Sequence, residues 1–223
     1  SFLSDLGLAD ESVGVLRSVI RSLAPDVSVI DITHDIEPHD VRAAGLTLAR
    51  SVQYLAPGVV LGVVDPSPGP NRKPVAIEVA DGAAYLVGPD NGLFAPAVSL
   101  VGGATAAVVL DEAEYQLASP ATIFAGRDIF APVAAHLCNG VALADLGSPI
   151  DPALLMPGMM AVSQADEDGS IGSEVLWIDR FGNAQLNGDP TELAGWPEFV
   201  QVEGGRVART AERVELASDL GTG

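Results

Sequence analysis

The sequence is poor in basic residues and in cysteine, and each shortage limits what the protein can be. Lysine and arginine together number 11 against 30 aspartates and glutamates, which gives a formal net charge of −19. Nucleic acids and anionic membranes are recognised through basic patches, so we expect neither as a partner. The single cysteine, Cys138, excludes an internal disulfide and a cysteine-rich zinc site, and the apolar run before it predicts a core thiol.

Long apolar runs and familiar phosphate-binding motifs are also missing. No run approaches the roughly 20 residues that a membrane-spanning helix needs. The opening SFLSDLGLAD has no basic leader segment, so a cytoplasmic location is expected. The sequence has no dinucleotide-binding glycine pattern, Walker loop or nucleophile elbow, which argues against a ligand held through a di- or triphosphate.

The chain does contain enough apolar residues, 48% of 223, for a sizeable core. Over residues 1–150, β-branched runs such as VSVIDIT and VVLGVVD alternate with helical patterns such as ESVGVLRSVIRSLA and RDIFAPVAAHLCNG. This alternation predicts a doubly wound α/β domain with a mostly parallel sheet. PVAIEVA and AAYLVGP flank an Asp-Gly pair and predict a hairpin, and Asp40 is predicted to cap a helix.

The character of the sequence changes after residue 150. Prolines at 152 and 157 make residues 151–164 a predicted linker. Residues 165–223 contain short β-rich runs broken by glycine and asparagine, which predict a small C-terminal β-barrel domain. So short a segment is marginal alone, so it is expected to pack on the first domain or on a partner subunit.

Ligands of open α/β sheets bind beyond the carboxyl ends of the strands, so the segments after each strand are the candidates for chemistry. The sharpest is DPSPGPNR, in which Asp65 ends an apolar strand and Arg72 follows a stiff proline-rich loop. A carboxylate beside a guanidinium can orient a water molecule. The alternative for the same pattern is a structural ion pair that closes the loop.

Two other segments carry polar side chains in suggestive patterns. THDIEPHD holds His34 and His39, but Pro38 breaks a helical presentation of both, so no metal site is expected. Caps and loop hydrogen bonds are the expectation for His34. In DRFGNAQLN, Phe181 could face a planar ring and Asn183 could bind a base edge. The alternative there is a β-turn with a core phenylalanine.

Six segments, in order over nearly the whole chain, resemble the signatures of one family. They are SDLGLADESVG, VIDITHDIEPHDVRAAGLTL, VVDPSPGPNR, GPDNGLF, FAGRDIFAPVAAHL and IDRFGNAQLN. The family is the S-adenosyl-L-methionine (SAM) hydroxide adenosyltransferases, or adenosine-forming SAM hydrolases, which are related to the fluorinase and the chlorinase. Each segment alone is a modest signal, whereas six in the same order and spacing are a strong one.

The resemblance implies an α/β domain with a C-terminal β-barrel, and a homotrimer that binds SAM between subunits. It implies that water attacks ribose C5′ to give adenosine and L-methionine, without cofactor, metal or covalent intermediate. Position by position, Asp65 and Arg72 match two members of a water-activating Asp, Arg and His set, and Ala125 stands where the family has the histidine. The implied substrate contacts are Asp5 at the ribose hydroxyls, Asp10, Ser12 and Asp179 towards the amino-acid end, and Phe124, Phe181 and Asn183.

Three departures from the family pattern shape the alternatives. Ala125 has no imidazole, the loop contains D-P-S-P-G-P, and the chain ends at DLGTG, which predicts an incomplete barrel. A silent SAM- or adenosine-binding protein, or an engineered inactive variant, is therefore the alternative to a hydrolase. Hydrolysis is favoured over halogenation because the Asp65 carboxylate would repel a halide, and because Gly126 stands where the fluorinase has a halide-binding serine. The missing glycine-rich loop argues against a methyltransferase.

Overall fold

The structure is a computed structural model that divides into two compact units, Ser1–Met159 and Met160–Gly223. It describes residues 1–65, 72–118, 124–158, 164–165, 171–172, 174–182, 184–187, 199–202 and 206–209. Within these ranges, no helix has the length and apolarity that crossing a membrane requires.

The first unit is built on one seven-stranded sheet with the order β2-β1-β3-β5-β4-β6-β7. Strands β1, β2, β3, β5 and β6 point one way, whereas β4 and β7 run in the opposite direction. The sheet is therefore mixed and mostly parallel, as the sequence predicted. The strands are β1 (Phe2–Ser4), β2 (Asp31–Thr33), β3 (Gly58–Val63), β4 (Pro74–Val79), β5 (Ala84–Pro89), β6 (Ala104–Val109) and β7 (Ser148–Pro149).

Helices cover both faces of this sheet because successive strand residues point to opposite sides. In β3, Leu61 and Val63 join one buried cluster with residues of α1 and α4, while Val60 joins a second cluster with residues of α2 and α3. Fully burying one such aliphatic side chain stabilises the fold by about 1.5–3 kcal/mol. The helices are α1 (Ser12–Leu23), α2 (Val41–Ser51), α3 (Ala95–Leu100) and α4 (Ala131–Cys138).

Local predictions can be compared with these elements directly. Strands β4 and β5 form the predicted antiparallel hairpin, and the Asp40 side chain caps α2 by accepting a hydrogen bond from the Ala43 amide at 2.8 Å. The prediction for Cys138 was wrong, because this residue ends α4 and its side chain is exposed. Strand β6 and helix α3 had no counterpart in the sequence analysis.

The second unit contains three antiparallel strand pairs: β8 (Gln164–Ala165) with β9 (Ile171–Gly172), β10 (Val175–Ile178) with β11 (Ala184–Leu186), and β12 (Phe199–Val202) with β13 (Arg206–Arg209). These pairs establish β-structure in this part of the chain. The β-barrel, and the boundaries at residues 150 and 165, stay predictions.

Candidate functional site

The predicted chemistry of the first unit lies at the edge of the sheet where the parallel strands end. Asp5 follows β1, His34 follows β2 and Asp65 lies just beyond β3. Strand β4 runs the other way, so its beginning lies at this same edge, and Arg72 lies two residues before its first residue, Pro74. The reversed direction of β4 therefore brings a guanidinium to a row of acidic strand ends.

Asp65 and Arg72, predicted as neighbours, do form an ion pair. Nη1 of Arg72 lies 2.5 Å from Oδ1 of Asp65, and the two side chains are 30% and 23% exposed. A charge-assisted hydrogen bond of this kind holds a carboxylate in one orientation. The pair is partly open to solvent, which a group that binds water must be.

Asn91, which follows β5, supports the backbone immediately before Asp65. Its Nδ2 donates to the Val64 carbonyl at 2.8 Å, and its Oδ1 accepts from the Leu93 amide at 3.1 Å. One asparagine side chain thus ties the end of β3 to the turn after β5. The P-D-N-G segment was a strand-end candidate in the sequence, but this supporting bond was not foreseen.

Asp5 lies beside this pair on the neighbouring strand. Ser4 is in register with Val63 across the parallel β1–β3 ladder, so Asp5 follows β1 at nearly the level where Asp65 follows β3. Its side chain is only 10% exposed, and Oδ2 accepts a hydrogen bond from the His39 backbone amide at 2.8 Å. The sequence analysis did not connect His39 with Asp5, which lies 34 residues earlier.

His34 is buried beneath the same edge, which differs from the loop hydrogen bonds predicted for it. Its Nδ1 lies 2.7 Å from Oγ of Ser4, within hydrogen-bonding distance. Its Nε2 lies 3.1 Å from Oδ1 of Asp31, but the geometry of this contact does not meet the criteria for a hydrogen bond. Asp31 in turn forms an ion pair with Arg17. Because the Leu6 amide donates to Ser4 Oγ, the hydroxyl can donate to Nδ1, which leaves the proton of His34 on Nε2.

Burial decides what this Ser4–His34–Asp31 line can do. Ser4 is completely buried and His34 is 3% exposed, so the hydroxyl cannot reach a substrate as a nucleophile. Burial lowers the pKa of His34, the positive charge of Arg17 lowers it further, and Asp35 acts in the opposite direction. The buried Ser4 hydroxyl and the neutral His34 imidazole therefore act as structural support for the segment that carries Asp5.

The segment around Ala125 also reaches this edge. A π-helical turn spans Gly126–Phe130 and continues into α4, and Ala125 precedes it as a half-buried residue. A Cβ at Gly126 would lie 2.9 Å from the Phe124 ring and 3.1 Å from Val63, so a larger residue here would have to displace these side chains at the end of β3. This packing places the Ala125 methyl group near the strand that leads into Asp65.

The charged pair in this turn is structural. Arg127 donates from Nε and Nη2 to the two carboxylate oxygens of Asp128, at 2.6 and 3.0 Å. The hydrogen bond to Asp128 raises the pKa of Arg127 above its usual value. Asp128 itself is 2% exposed, so its negative charge is stabilised by these two hydrogen bonds from Arg127 rather than by water.

The residues predicted for the amino-acid end of the substrate lie on the loop that enters α1. Oδ1 of Asp10 accepts from the Ser12 amide at 2.9 Å, and this hydrogen bond lowers the pKa of the Asp10 carboxyl. Asp10 is exposed and Ser12 is half-buried. The loop therefore presents an ionised carboxylate to solvent, and its role towards a substrate stays a prediction.

The predicted residues of the second unit lie on the turn between β10 and β11. Oδ1 of Asp179 accepts from the Phe181 amide at 2.8 Å, and the Asp179 carbonyl accepts from Gly182 at 3.0 Å. Phe181 is 60% exposed, which does not fit the alternative of a core phenylalanine. Asn183 lies outside the described residues.

A pocket of about 230 Å³ lies beside α3 and contains none of the predicted site residues. Its walls are mostly apolar, and its acidic group, Asp90, already accepts from the Met156 amide at 2.7 Å. Its other strand-end polar group, Asn91, makes the two hydrogen bonds given above. The predicted site residues of the first unit lie outside this pocket, and Asp5 and Asp65 lie at the ends of neighbouring strands. In the part of the chain that the structure describes, no three His, Cys, Asp or Glu side chains are grouped as metal ligands.

Comparison with known proteins gives this geometry a context. Residues 1–147 match the model of the SAM hydroxide adenosyltransferase N-terminal domain. A Salinispora tropica protein named (R)-S-adenosyl-L-methionine hydrolase is 41% identical over 223 residues, which cover 100% of this chain and 83% of that protein. A protein of the same name from Salinispora arenicola is 42% identical over 202 residues, which cover 91% of this chain and 76% of that protein.

A crystal structure of an uncharacterized conserved protein from Thermotoga maritima superposes with a TM-score of 0.75 at 35% identity, covering 83% of this chain and 70% of that one. Fluorinases are more distant, such as one from Actinopolyspora mzabensis at 24% identity over 220 residues, which cover 87% of this chain and 73% of that protein. The resemblance drawn from the six sequence segments is confirmed. The chain belongs to the SAM hydroxide adenosyltransferase family.

Proposed function

We propose that this protein hydrolyses SAM to adenosine and L-methionine, with water attacking ribose C5′. The observation that carries the proposal is the partly exposed Asp65–Arg72 pair, 2.5 Å apart, in a chain 41% identical to a named (R)-SAM hydrolase. We extend the proposal to the configuration in that name, so the preferred substrate is the (R) form at sulfur. No cofactor is needed for this displacement.

In the proposed reaction, a carboxylate oxygen of Asp65 accepts a hydrogen bond from the attacking water, and Arg72 holds that carboxylate in place. The water oxygen forms a bond to C5′ while the bond between C5′ and sulfur breaks, and its electron pair stays on sulfur. Methionine leaves as a neutral thioether, so it needs no acid. One proton of the water is released, through Asp65 or directly to solvent. Alignment of water, C5′ and sulfur is the main task, and general-base assistance adds about 10²–10⁴-fold.

Charge supports this substrate class and this reaction. The sulfonium of SAM is a cation, and an edge carrying Asp5 and Asp65 on a chain of net charge −19 attracts it. Halide would be repelled by the same carboxylates. A serine at position 126 would also crowd the Phe124 ring and Val63. Both features support hydrolysis over halogenation.

The test is incubation of the purified protein with each sulfur epimer of SAM in H₂¹⁸O. We expect adenosine and methionine in equal amounts, faster from the (R) epimer, with ¹⁸O in the 5′-hydroxyl of adenosine and none in methionine. Absence of adenosine from both epimers, or unlabelled adenosine, contradicts the proposal. Chromatography with mass spectrometry measures both quantities.

Ala125 favours a second candidate, a protein that binds SAM or adenosine without turnover. The variant Ala125→His separates the two because it adds the imidazole that the family has at this position. A hydrolase whose rate is limited by the missing group gains about tenfold or more in kcat. If SAM binds, no adenosine forms and Ala125→His gives none, the binding protein is the correct description.

We further propose that the functional assembly is a cytoplasmic homotrimer in which the second unit, as a β-barrel, contributes Asp179, Phe181 and Asn183 to the substrate site. The exposed Phe181 supports this, since an exposed aromatic side chain is available to stack on a planar ring. Light scattering of the purified protein gives the subunit number. A monomer that turns over SAM would contradict the shared site.

A further inference from the structure

We propose that His39 is a further substrate-contacting residue, whose imidazole binds the ribose hydroxyls together with Asp5. This inference rests on the proposed function, in that it takes Asp5 to face the ribose.

His39 has a backbone conformation that is uncommon for residues other than glycine, although histidine adopts it more often than most. Its φ is +70°, in the left-handed region where residues with a Cβ are disfavoured. Two hydrogen bonds hold it there: its amide donates to Oδ2 of Asp5 at 2.8 Å, and its carbonyl accepts from the Val41 amide at 3.0 Å. Unfavourable backbone conformations that are held by their surroundings are concentrated at ligand-binding sites.

The distance between the two side chains suits a shared hydroxyl. Nδ1 of His39 lies 3.9 Å from Oδ2 of Asp5, which is too long for a direct hydrogen bond. A hydroxyl group placed beside both side chains could donate its one proton to the carboxylate and accept a hydrogen bond from the imidazole N–H. The His39 side chain is 62% exposed and the Asp5 side chain 10% exposed, so the ring is the open side of this pair.

The other two histidines do not offer such a group at this edge. His34 is buried and bonded to Ser4. The ring of His136 packs against Tyr115 with 5.1 Å between centroids, on α4. The acidic side chains that flank His39 in its loop, Glu37 and Asp40, can only accept hydrogen bonds when ionised. His39 therefore adds a donor to a neighbourhood of acceptors.

The experiment compares adenosine with 2′,3′-dideoxyadenosine, which lacks both ribose hydroxyls, by calorimetric binding to the whole protein. The variants are His39→Asn and His39→Gly, because asparagine and glycine both tolerate the left-handed backbone. We expect the adenosine affinity to fall about 5- to 20-fold, more for glycine than for asparagine, while the dideoxyadenosine affinity changes less than twofold.

The matched control is Asp81→Asn, another left-handed position with a φ of +54°, in the β4–β5 hairpin at the opposite edge of the sheet. It should change neither affinity. Equal losses for both nucleosides in the His39 variants would indicate a structural role and overturn the proposal. Unchanged adenosine affinity, or a wild type that does not prefer adenosine, would overturn it too. Wild-type protein that binds adenosine but never forms it from SAM refutes the hydrolysis instead.

Discussion

Two aspartate–arginine pairs in the first unit have almost the same chemistry and different surroundings. Arg17 pairs with Asp31, with side chains 40% and 35% exposed, and Arg72 pairs with Asp65, with side chains 30% and 23% exposed. Exposure therefore does not separate them. Asp31 begins strand β2 and contacts the buried His34, whereas Asp65 lies beyond the carboxyl end of β3.

The two pairs differ in their position on the sheet, and this position is the basis for proposing a functional role for Asp65 and a structural role for Asp31. Carboxyl ends of parallel strands converge on a common edge where ligands bind, while a residue at the start of a strand faces the opposite edge. Asp31 contacts the imidazole of the buried His34, with 3.1 Å between Oδ1 and Nε2. Asn91 supports the backbone just before Asp65, and the Asp65 side chain is partly exposed.

The largest expected effect comes from making the same substitution in both pairs. Asp65→Asn should lower SAM turnover at least about 100-fold, because the neutral amide cannot hold the attacking water as a carboxylate does. Its melting temperature should change little, since a partly exposed ion pair contributes only about 0–1 kcal/mol. Chromatographic assay of adenosine and differential scanning calorimetry measure the two quantities.

The matched variant Asp31→Asn tests whether loss of any such ion pair lowers turnover. Its turnover should stay within about threefold of wild type where the protein is folded, because Asp31 does not face the substrate. Equal losses of turnover in the two variants would mean that both pairs act through the fold, and the distinction drawn here would be wrong.

A smaller effect, on stability, is expected for Ser4→Ala. The substitution leaves Nδ1 of His34 and the Leu6 amide without their partner in a buried place, which costs about 1–3 kcal/mol in free energy of unfolding. Ser22→Ala is the control, because its exposed hydroxyl bonds only the Val19 carbonyl and its loss should change stability by less than about 0.5 kcal/mol. Urea unfolding compares them, and similar losses would show that the buried line contributes little.

The smallest expected effect is a pH dependence of stability that comes from His34. The folded state lowers the pKa of His34 below the usual value of about 6.5, so the unfolded chain binds more protons just below that pH. The stabilising contribution of the neutral ring is therefore fully present above about pH 6.5 and is lost as the pH falls towards the lower, folded pKa. Urea unfolding at a series of pH values above about 5 avoids most carboxylate titration.

Two variants identify the titrating group. Arg17→Gln removes a positive charge that lowers the pKa of His34, so the folded pKa should lie closer to the unfolded value and less stability should be lost as the pH falls below about 6.5. His34→Gln should remove this part of the pH dependence while lowering stability overall. A His34→Gln protein that loses as much stability between about pH 6.5 and 5 as wild type would assign the effect to another group.

Much of the first unit could be predicted because its signals are local. Apolar β-branched runs, helical periodicity and one Asp-Gly turn give most of the strands, three helices and the β4–β5 hairpin. The ion pair between Asp65 and Arg72 was also within reach, because only seven positions separate its members.

Contacts between distant segments could not be predicted in this way. Nothing in the local sequence says that the His39 amide will meet Asp5, or that His34 will be buried against Ser4, 30 residues earlier. Both contacts follow from the parallel pairing of β1 with β2, which sets the level at which each strand ends. The prediction for Cys138 was wrong for a related reason, since a helical apolar pattern does not determine at which residue the helix leaves the core.

Because β4 runs in the opposite direction to β3 and β5, its length determines where Arg72 lies relative to Asp65 at the edge of the sheet. Each residue added to a strand moves its end by about 3.3 Å and turns the following side chain to the other face of the sheet. One inserted residue in β4 would therefore carry Arg72 away from Asp65 with every side chain unchanged. Relatives that differ in the length of this strand can differ in chemistry even where their site residues are identical.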